Sequence, residues 1–85
     1  MIAEQEVLES LDRLGEKLQQ LRDENTQQKS KIEGDCNTLI RMLMQNGLAS
    51  STIINYVRQK AQAYGFMKEN VSELVKAVQE HINNL

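Results

Sequence analysis

The chain has 85 residues, of which 40% are apolar and 26% charged, and its formal net charge at pH 7 is −2. This length provides one small domain, or one domain with an extension, and the charge argues against a basic nucleic-acid coat protein. Cys36 has no second cysteine with which to form an internal disulfide, and no apolar run approaches the ~18 residues of a membrane span. Residues 1–10 hold three glutamates and no basic residue, so no secretory signal is predicted and we expect a cytoplasmic protein.

Residues 3–33 are predicted to form one long amphipathic helix. Its seam residues recur at alternating spacings of four and three, which is the heptad pattern of a coiled coil. A narrow apolar stripe of this kind needs a partner helix, from this chain or from a second copy. We therefore expect a coiled-coil stem or helical hairpin that associates as a homodimer. The predicted dimerisation residues are Val7, Leu11, Leu14, Leu18, Leu21, Asn25 and Ile32.

The polar residues of the seam bear on how two copies would pair. An asparagine at an a position, here Asn25, fixes register and favours a dimer at a cost in stability. The flanking charges leave parallel and antiparallel pairing both open. In a parallel dimer Glu24 would attract Lys29 of the second copy, whereas Lys17 would face Arg22, and each such pair contributes only about 0.2–1 kcal/mol.

The stem is predicted to end at Gly34 and Asp35, because glycine weakens a helix and aspartate can cap the next one. This division gives a coiled-coil dimerisation stem in residues 1–34 and a helical domain in residues 35–85. Leu39 and Met42 continue the same heptad frame, however. A single helix that continues through about residue 46 is therefore the alternative.

Three shorter helices are predicted in the second half, at about residues 36–46, 52–64 and 71–84. Asn46-Gly47 and Gly65 are the stop signals that separate them. Short turns between helices imply that neighbouring helices fold back on one another. We therefore expect an all-α protein in which an N-terminal coiled coil or long helix is followed by a compact three-helix unit.

The starts of the last two helices and their apolar faces are also predicted. Ser50 or Ser51 is the expected cap of the helix at 52–64. Asn70 is the expected cap of the helix at 71–84, because Glu73 follows at the spacing of a capping box. The expected core residues of the second half are Leu43, Ile54, Val57, Leu74 and Val78.

No group of residues in the sequence predicts an enzyme, a metal site or a cofactor site. Cys36 and His81 are the only cysteine and histidine, 45 positions apart, and cannot by themselves form a structural zinc site. The four glycines are too scattered to form a phosphate-binding loop. Cys36 is interpreted as a small apolar residue, with a reactive thiol as the alternative, and His81 as a residue at the edge of an apolar stripe.

The segment from Leu39 to Ala61 resembles a helix-turn-helix. Gly47 lies at the turn, Met42 and Leu48 are apolar anchors, and Leu43 and Asn46 depart from the residue types that the motif prefers. The resemblance implies that the helix at 52–64 is a recognition helix in a DNA major groove. Its exposed side chains would then read bases or contact phosphate. The possible DNA-contacting residues are Asn55, Arg58, Gln59, Lys60 and Gln62.

Two functions follow from these patterns. The first is a non-enzymatic interaction module, such as an adaptor, a small chaperone or a regulatory subunit, which acts as a homodimer through coiled-coil and helix-in-groove contacts with another protein. The alternative is a small dimeric helix-turn-helix DNA-binding regulator. Neither involves a cofactor or a membrane.

Overall fold

The computed structural model describes residues 4–23 and 28–85. Within these residues the chain forms four α-helices and no strand, which confirms the all-α class and the long N-terminal helix followed by three more. The helices are α1 (Glu4–Asp23), α2 (Lys29–Gln45), α3 (Ser50–Ala63) and α4 (Lys68–Asn83). None of these helices has both the length and the apolar character needed to cross a membrane.

The four helices are arranged as two hairpins that pack against each other. The α1 helix lies mainly against α2, and α3 mainly against α4, with further contacts of α1 to α3 and of α2 to α4. The α1 and α2 helices are antiparallel, because they pack side by side and only residues 24–28 connect them. A salt bridge of 3.2 Å between Lys17 Nζ and Asp35 Oδ2 links the two helices. The radius of gyration is 12.2 Å, which is typical of a folded domain of this length.

The core takes side chains from all four helices, on both sides of the division predicted at Gly34. Leu14 and Leu18 of α1 are 0% and 1% exposed, so the heptad stripe finds its partner within the same chain. Leu43, Val57 and Val78 are buried as expected, whereas Ile54 and Leu74 are half-buried at the margin. The buried core residues are Val7, Leu14, Leu18, Ile32, Cys36, Leu39, Ile40, Leu43, Ile53, Val57 and Val78.

The predicted helix break at Gly34 and Asp35 is wrong, and so is the single helix over residues 3–33. The α2 helix continues through both residues, and Thr38 Oγ1 donates a 3.1 Å hydrogen bond to the Gly34 carbonyl. A helical glycine costs only about 1 kcal/mol, far less than burial of the apolar side chains of α2 provides. The continuous helix through residue 46 is also wrong, because α1 and α2 lie side by side. Asn25, predicted to fix register, lies outside the described residues.

The turns after α2 and α3 have the same hydrogen-bonding pattern. Leu48 N–H donates to the Leu43 carbonyl (3.1 Å) and Gly47 N–H to the Met44 carbonyl (3.0 Å), which is the Schellman motif. Phe66 and Gly65 repeat these bonds at the end of α3. Each glycine has a positive φ angle, 91° at Gly47 and 82° at Gly65, and both lie just after a helix end, which confirms them as stop signals.

The predicted caps of α3 and α4 are wrong, because these Schellman turns set where each helix begins. In both cases the next helix starts three residues after the glycine, at Ser50 and at Lys68. The N-cap positions fall on Ala49 and Met67, which have extended backbones and no side chain that can accept a capping bond. The serines and Asn70 therefore lie inside the helices.

Candidate functional site

An open groove of about 620 Å³ lies at one end of the bundle, where α1 ends, α2 begins and α3 turns into α4. We call it the end groove. Its apolar lining consists of Leu21, Phe66, Met67, Leu74 and Ala77. Its charged and polar lining consists of Arg22, Lys29, Glu33, Asn70 and Glu73. An apolar surface bordered by polar groups and by charges of both signs has the composition of a protein–protein interface.

The Schellman turn after α3 explains why apolar side chains line this groove. The turn directs Phe66 and Met67 to the end of the bundle, where Phe66 is half-buried and Met67 is 67% exposed. The turn needs glycine at position 65 because of its positive φ of 82°, since an added Cβ would lie at an ordinary contact distance, 3.7 Å, from Arg22 Nε. Leu74 is half-buried and packs against the main core, so the groove is continuous with the interior.

Sequence reasoning identified the turn at Gly65 but not this surface. The available signal was two large apolar residues, Phe66 and Met67, that directly follow the turn glycine. Turn segments are usually polar, so apolar side chains at such a position need either burial or a partner. Leu21 was assigned to the dimer seam, and the structure places it at the groove instead.

Most of the seam residues predicted for dimerisation pack in the core of the same chain. Val7, Leu14, Leu18 and Ile32 are buried in the core, and Leu11 and Leu21 are half-buried against it. The described part of α1 therefore presents no apolar stripe to a second copy while it packs against α2. Leu8, which is 57% exposed, is the large apolar side chain that α1 leaves in solvent.

The residues predicted to read DNA divide between two environments on α3. Asn55, Arg58, Gln59 and Gln62 are exposed on one face, and Arg58 Nη1 donates a 3.2 Å hydrogen bond to Asn55 Oδ1. Arg58 and Gln62 also line a second open groove, of about 530 Å³, together with Lys68. The exposed face of α3 is therefore polar, with Arg58 as its charged residue.

Lys60, the predicted phosphate contact, lies on another side of α3. It is half-buried, and its ammonium group is 5.7 Å from the centre of the Tyr56 ring and 5.9 Å from that of Tyr64. These distances are within the range of a cation–π interaction. An extended contact with a phosphate backbone would require Lys60 to leave both rings.

The same tyrosines form the contact between α3 and α1. Tyr56 donates a 2.7 Å hydrogen bond from its hydroxyl to the Leu11 carbonyl. Burial raises the pKa of Tyr56, and nearby Tyr64 and Asp12 raise it further. Gly15 lies where the two helices meet, since an added Cβ would come within 3.0 Å of the Tyr56 hydroxyl. We interpret this cluster as a structural clamp between α1 and α3.

Cys36 and His81 are both engaged in packing rather than displayed on a surface. Cys36 is 6% exposed, and burial followed by the neighbouring Asp35 carboxylate raises the pKa of its thiol to about 11. A thiol in this state is a poor nucleophile near neutral pH. His81 Nε2 lies 3.2 Å from the carbonyl oxygen of Asn37, which ties α4 to α2. In the part of the chain that the structure describes, no three His, Cys, Asp or Glu side chains form a metal-binding group.

Comparison of the chain with protein-family models and curated proteins, and of its fold with solved structures, finds no match. The adaptor, homodimer and DNA-binding interpretations therefore stay predictions. The end groove and the exposed face of α3 are the two surfaces on which they can be tested.

Proposed function

We propose that the protein is a non-enzymatic helical interaction module that binds a helix of another protein in the end groove. The observation that carries this proposal is the apolar lining of the groove, in particular Met67, which is 67% exposed beside half-buried Phe66 and Leu74. Methionine side chains adapt to different partners because they are unbranched and polarizable. Apolar surface left in water at such a site favours association.

The expected partner is an amphipathic helix. Such a helix buries apolar side chains at positions i, i+3 or i+4 and i+7 in a groove and keeps its polar side in water. The charged rim has both signs, with Lys29 on α2 and Glu73 on α4. We therefore expect these charges to orient a bound helix in the groove rather than to select a partner with a strong net charge. The cytoplasmic location predicted from the sequence is part of the same proposal.

Site-specific photo-crosslinking in the cells that produce the protein tests this function. The crosslinking side chain would replace Ala77 in the end groove and, as a control on the same helix, exposed Lys76 outside it. We expect one protein of discrete mass to be captured from position 77 and not from position 76. Equal capture from both positions, or from neither, would contradict the proposal.

Two methionines provide a matched pair of variants for the same experiment. Met67 lines the groove and Met42, on α2, is 40% exposed elsewhere. Met67→Gln should abolish capture from position 77, whereas Met42→Gln should leave it unchanged. A third crosslinking position, Gln59 on the exposed face of α3, addresses the alternative function. DNA captured there, in place of protein at position 77, would support the DNA-binding regulator.

The homodimer predicted from the heptad seam belongs to the proposal as well. The heptad pattern of the sequence supports the dimer. Within one chain, however, Leu14 and Leu18 are already buried, at 0% and 1% exposed. A second copy can reach these leucines only if α1 leaves its own α2. Sedimentation velocity over a concentration series should detect the dimer, and a monomer at every concentration would remove this part of the proposal.

A further inference from the structure

The homodimer of the proposed function needs an interface other than the buried part of the heptad seam. Leu14 and Leu18 are 0% and 1% exposed within one chain, so a second copy does not reach them while α1 packs against α2. Leu8, on the same helix, is 57% exposed and lies outside the core. The side chains around Leu8 therefore determine what α1 can offer to a second copy.

Leu8 lies in an acidic patch at the start of α1. Residues 4–12 contain four acidic residues and no basic one. Glu4 and Asp12 are exposed one turn before and one turn after Leu8, so the three side chains share one face of the helix. The Asp12 carboxylate is close enough to Tyr56 of α3 to raise the pKa of that tyrosine, which places this face beside α3. We call Glu4, Leu8 and Asp12 the acidic patch.

The open groove between α3 and α4 has the opposite charge. Arg58 of α3 and Lys68 of α4 are its charged lining residues, and of the described residues no acidic one lines it. Its apolar lining consists of Phe66, Val71 and Val75. We call the surface formed by these five residues the basic groove.

The two cations of the basic groove have no carboxylate partner within the described part of the chain, where the ion pair joins Lys17 and Asp35. Arg58 donates its hydrogen bond to the neutral amide of Asn55. Lys68 lies in the first turn of α4, where the helix dipole makes a positive charge unfavourable. Carboxylates from outside the chain would therefore interact favourably with both cations.

The acidic patch and the basic groove are complementary in both charge and polarity. The patch has one exposed leucine between two carboxylates, and the groove has an apolar lining with two cations. An amphipathic helix that lies in a groove buries its apolar side chain and keeps its charged ones at the rim. Duplex DNA would match the charges of the groove but gains nothing from the apolar lining, because its phosphate backbone is polar.

One chain cannot place its own acidic patch in its own basic groove. Phe66 lines both the basic groove and the end groove, so the basic groove lies at the end of the bundle where α1 finishes. Leu8 is about 20 Å from that end, measured along α1 to Leu21. Around the bundle, both surfaces border α3. A two-fold axis midway between them, over the exposed face of α3, lays the patch of each copy on the groove of the other.

We propose that two copies form a two-fold dimer in which the acidic patch of each copy occupies the basic groove of the other. This dimer rests on the homodimer of the proposed function and specifies its interface. Leu8 packs on the apolar lining of the groove, while the carboxylates of Glu4 and Asp12 pair with Arg58 and Lys68. Each contact occurs twice, and both chains keep the α1–α2 hairpin intact.

Paired charge reversals test this interface on the full-length chain. The groove variant carries Arg58→Glu and Lys68→Glu, and the patch variant carries Glu4→Lys and Asp12→Lys, all at exposed side chains. Each variant alone opposes like charges at both contacts, whereas a mixed dimer restores attraction at both. In sedimentation velocity we expect either variant alone to dimerise roughly 10- to 100-fold more weakly than the unmodified chain, the combined effect of four exposed ion pairs. An equimolar mixture of the two variants should regain the unmodified affinity.

Arg41→Glu with Lys76→Glu is the matched control, because it makes the same charge change at exposed residues outside the groove and should dimerise as the unmodified chain does. If each reversal leaves the dimer unchanged, or if the mixture does not regain affinity, the interface is wrong while a homodimer remains. A monomer at all concentrations up to about 1 mM would remove the homodimer as well. Duplex DNA that binds the unmodified chain and not the groove variant, with dimerisation unchanged, would assign the groove to DNA instead.

Substitution of Leu8 provides an independent measurement. Leu8→Ala should weaken dimerisation roughly 10-fold, since each dimer buries two of these side chains, and should leave the urea stability of the dilute monomer unchanged. Met42→Ala removes another large apolar side chain, 40% exposed on α2, and should leave dimerisation unchanged. Equal effects of the two substitutions on dimerisation would overturn the place of Leu8 in the interface.

Discussion

Replacement of Gly15 tests the contact between α1 and α3 most directly. Gly15 is buried in the interior of α1, and an added Cβ would lie 3.0 Å from the Tyr56 hydroxyl and 3.4 Å from that of Tyr64. The Tyr56 hydroxyl is held in place, because it donates a 2.7 Å hydrogen bond to the Leu11 carbonyl. Alanine at position 15 therefore has to displace an anchored group.

Two opposing effects decide the sign of the result. Gly15→Ala should gain about 1 kcal/mol of helix propensity, since glycine is a poor helix former. It should lose about 1 kcal/mol if the hydrogen bond of Tyr56 is disrupted, and a further ~1 kcal/mol through overpacking. We therefore expect the free energy of unfolding to fall by about 1 kcal/mol. In a Tyr56→Phe background the hydroxyl is gone, and the same substitution should raise that free energy by about 0.5–1 kcal/mol.

Urea denaturation followed by circular dichroism would measure the four proteins of this double-mutant cycle. The coupling between the two positions should be at least about 1 kcal/mol. Tyr64→Phe is the matched control, and its coupling to Gly15→Ala should be smaller because the added Cβ lies farther from that hydroxyl. If Gly15→Ala stabilises the chain equally in both tyrosine backgrounds, the hydroxyl does not limit the approach of the helices and our explanation is wrong.

Three further predictions concern stability and use the same denaturation measurement. Leu18→Ala removes a side chain that is 1% exposed and should lower the free energy of unfolding by about 2–5 kcal/mol. Leu74→Ala, at the half-buried end groove, should lower it by less than about 2 kcal/mol. Equal losses would mean that the two leucines are equally buried, which contradicts the structure. Gly65→Ala should lower the free energy of unfolding by about 1–2 kcal/mol, because φ is 82° at this position. Gly34→Ala should raise it by up to about 1 kcal/mol, because an added Cβ there has no neighbour within 4 Å. The opposite order of the two effects would contradict the Schellman turn. Burial raises the pKa of the Cys36 thiol from 9.0 to about 11, so between these pH values the folded chain keeps a proton that the unfolded chain loses. The free energy of unfolding should therefore fall between pH 9 and 11, by up to about 1.4 kcal/mol per pH unit. If Cys36→Ala shows the same dependence of stability on pH, the thiol is not its cause.

Local features of the sequence were sufficient for the helix content and for two of the turns. Gly47 and Gly65 mark helix ends because the backbone there needs a positive φ, which glycine adopts without strain. The helix starts were missed because capping by Ser50 or Asn70 contributes only about 1 kcal/mol. Packing of Leu48 against the core, with the Schellman hydrogen bonds, sets the geometry of the first turn instead.

The end groove could not be predicted from any one segment, because four elements contribute to it. Leu21 lies in the last turn of α1, Lys29 begins α2, Phe66 follows α3 and Leu74 belongs to α4. Periodicity assigns each residue to a face of its own helix, but the meeting of those faces depends on how the two hairpins are oriented. Only the apolar pair after Gly65 indicated that a surface of this kind exists.

The sequence also left open which helix packs against the α1 seam. The apolar residues of α2 could have narrowed this choice. Leu39, Ile40, Met42, Leu43 and Met44 together spread around much of the circumference of α2, so that helix needs neighbours in more than one direction. The α3 and α4 helices contact α2 on part of its circumference, and α1 packs against another part. An α1 helix that left this position without replacement would expose to water the apolar side chains of α2 that pack against it. The side of α2 that contacts α1 therefore has to be filled by the same chain or by a second copy.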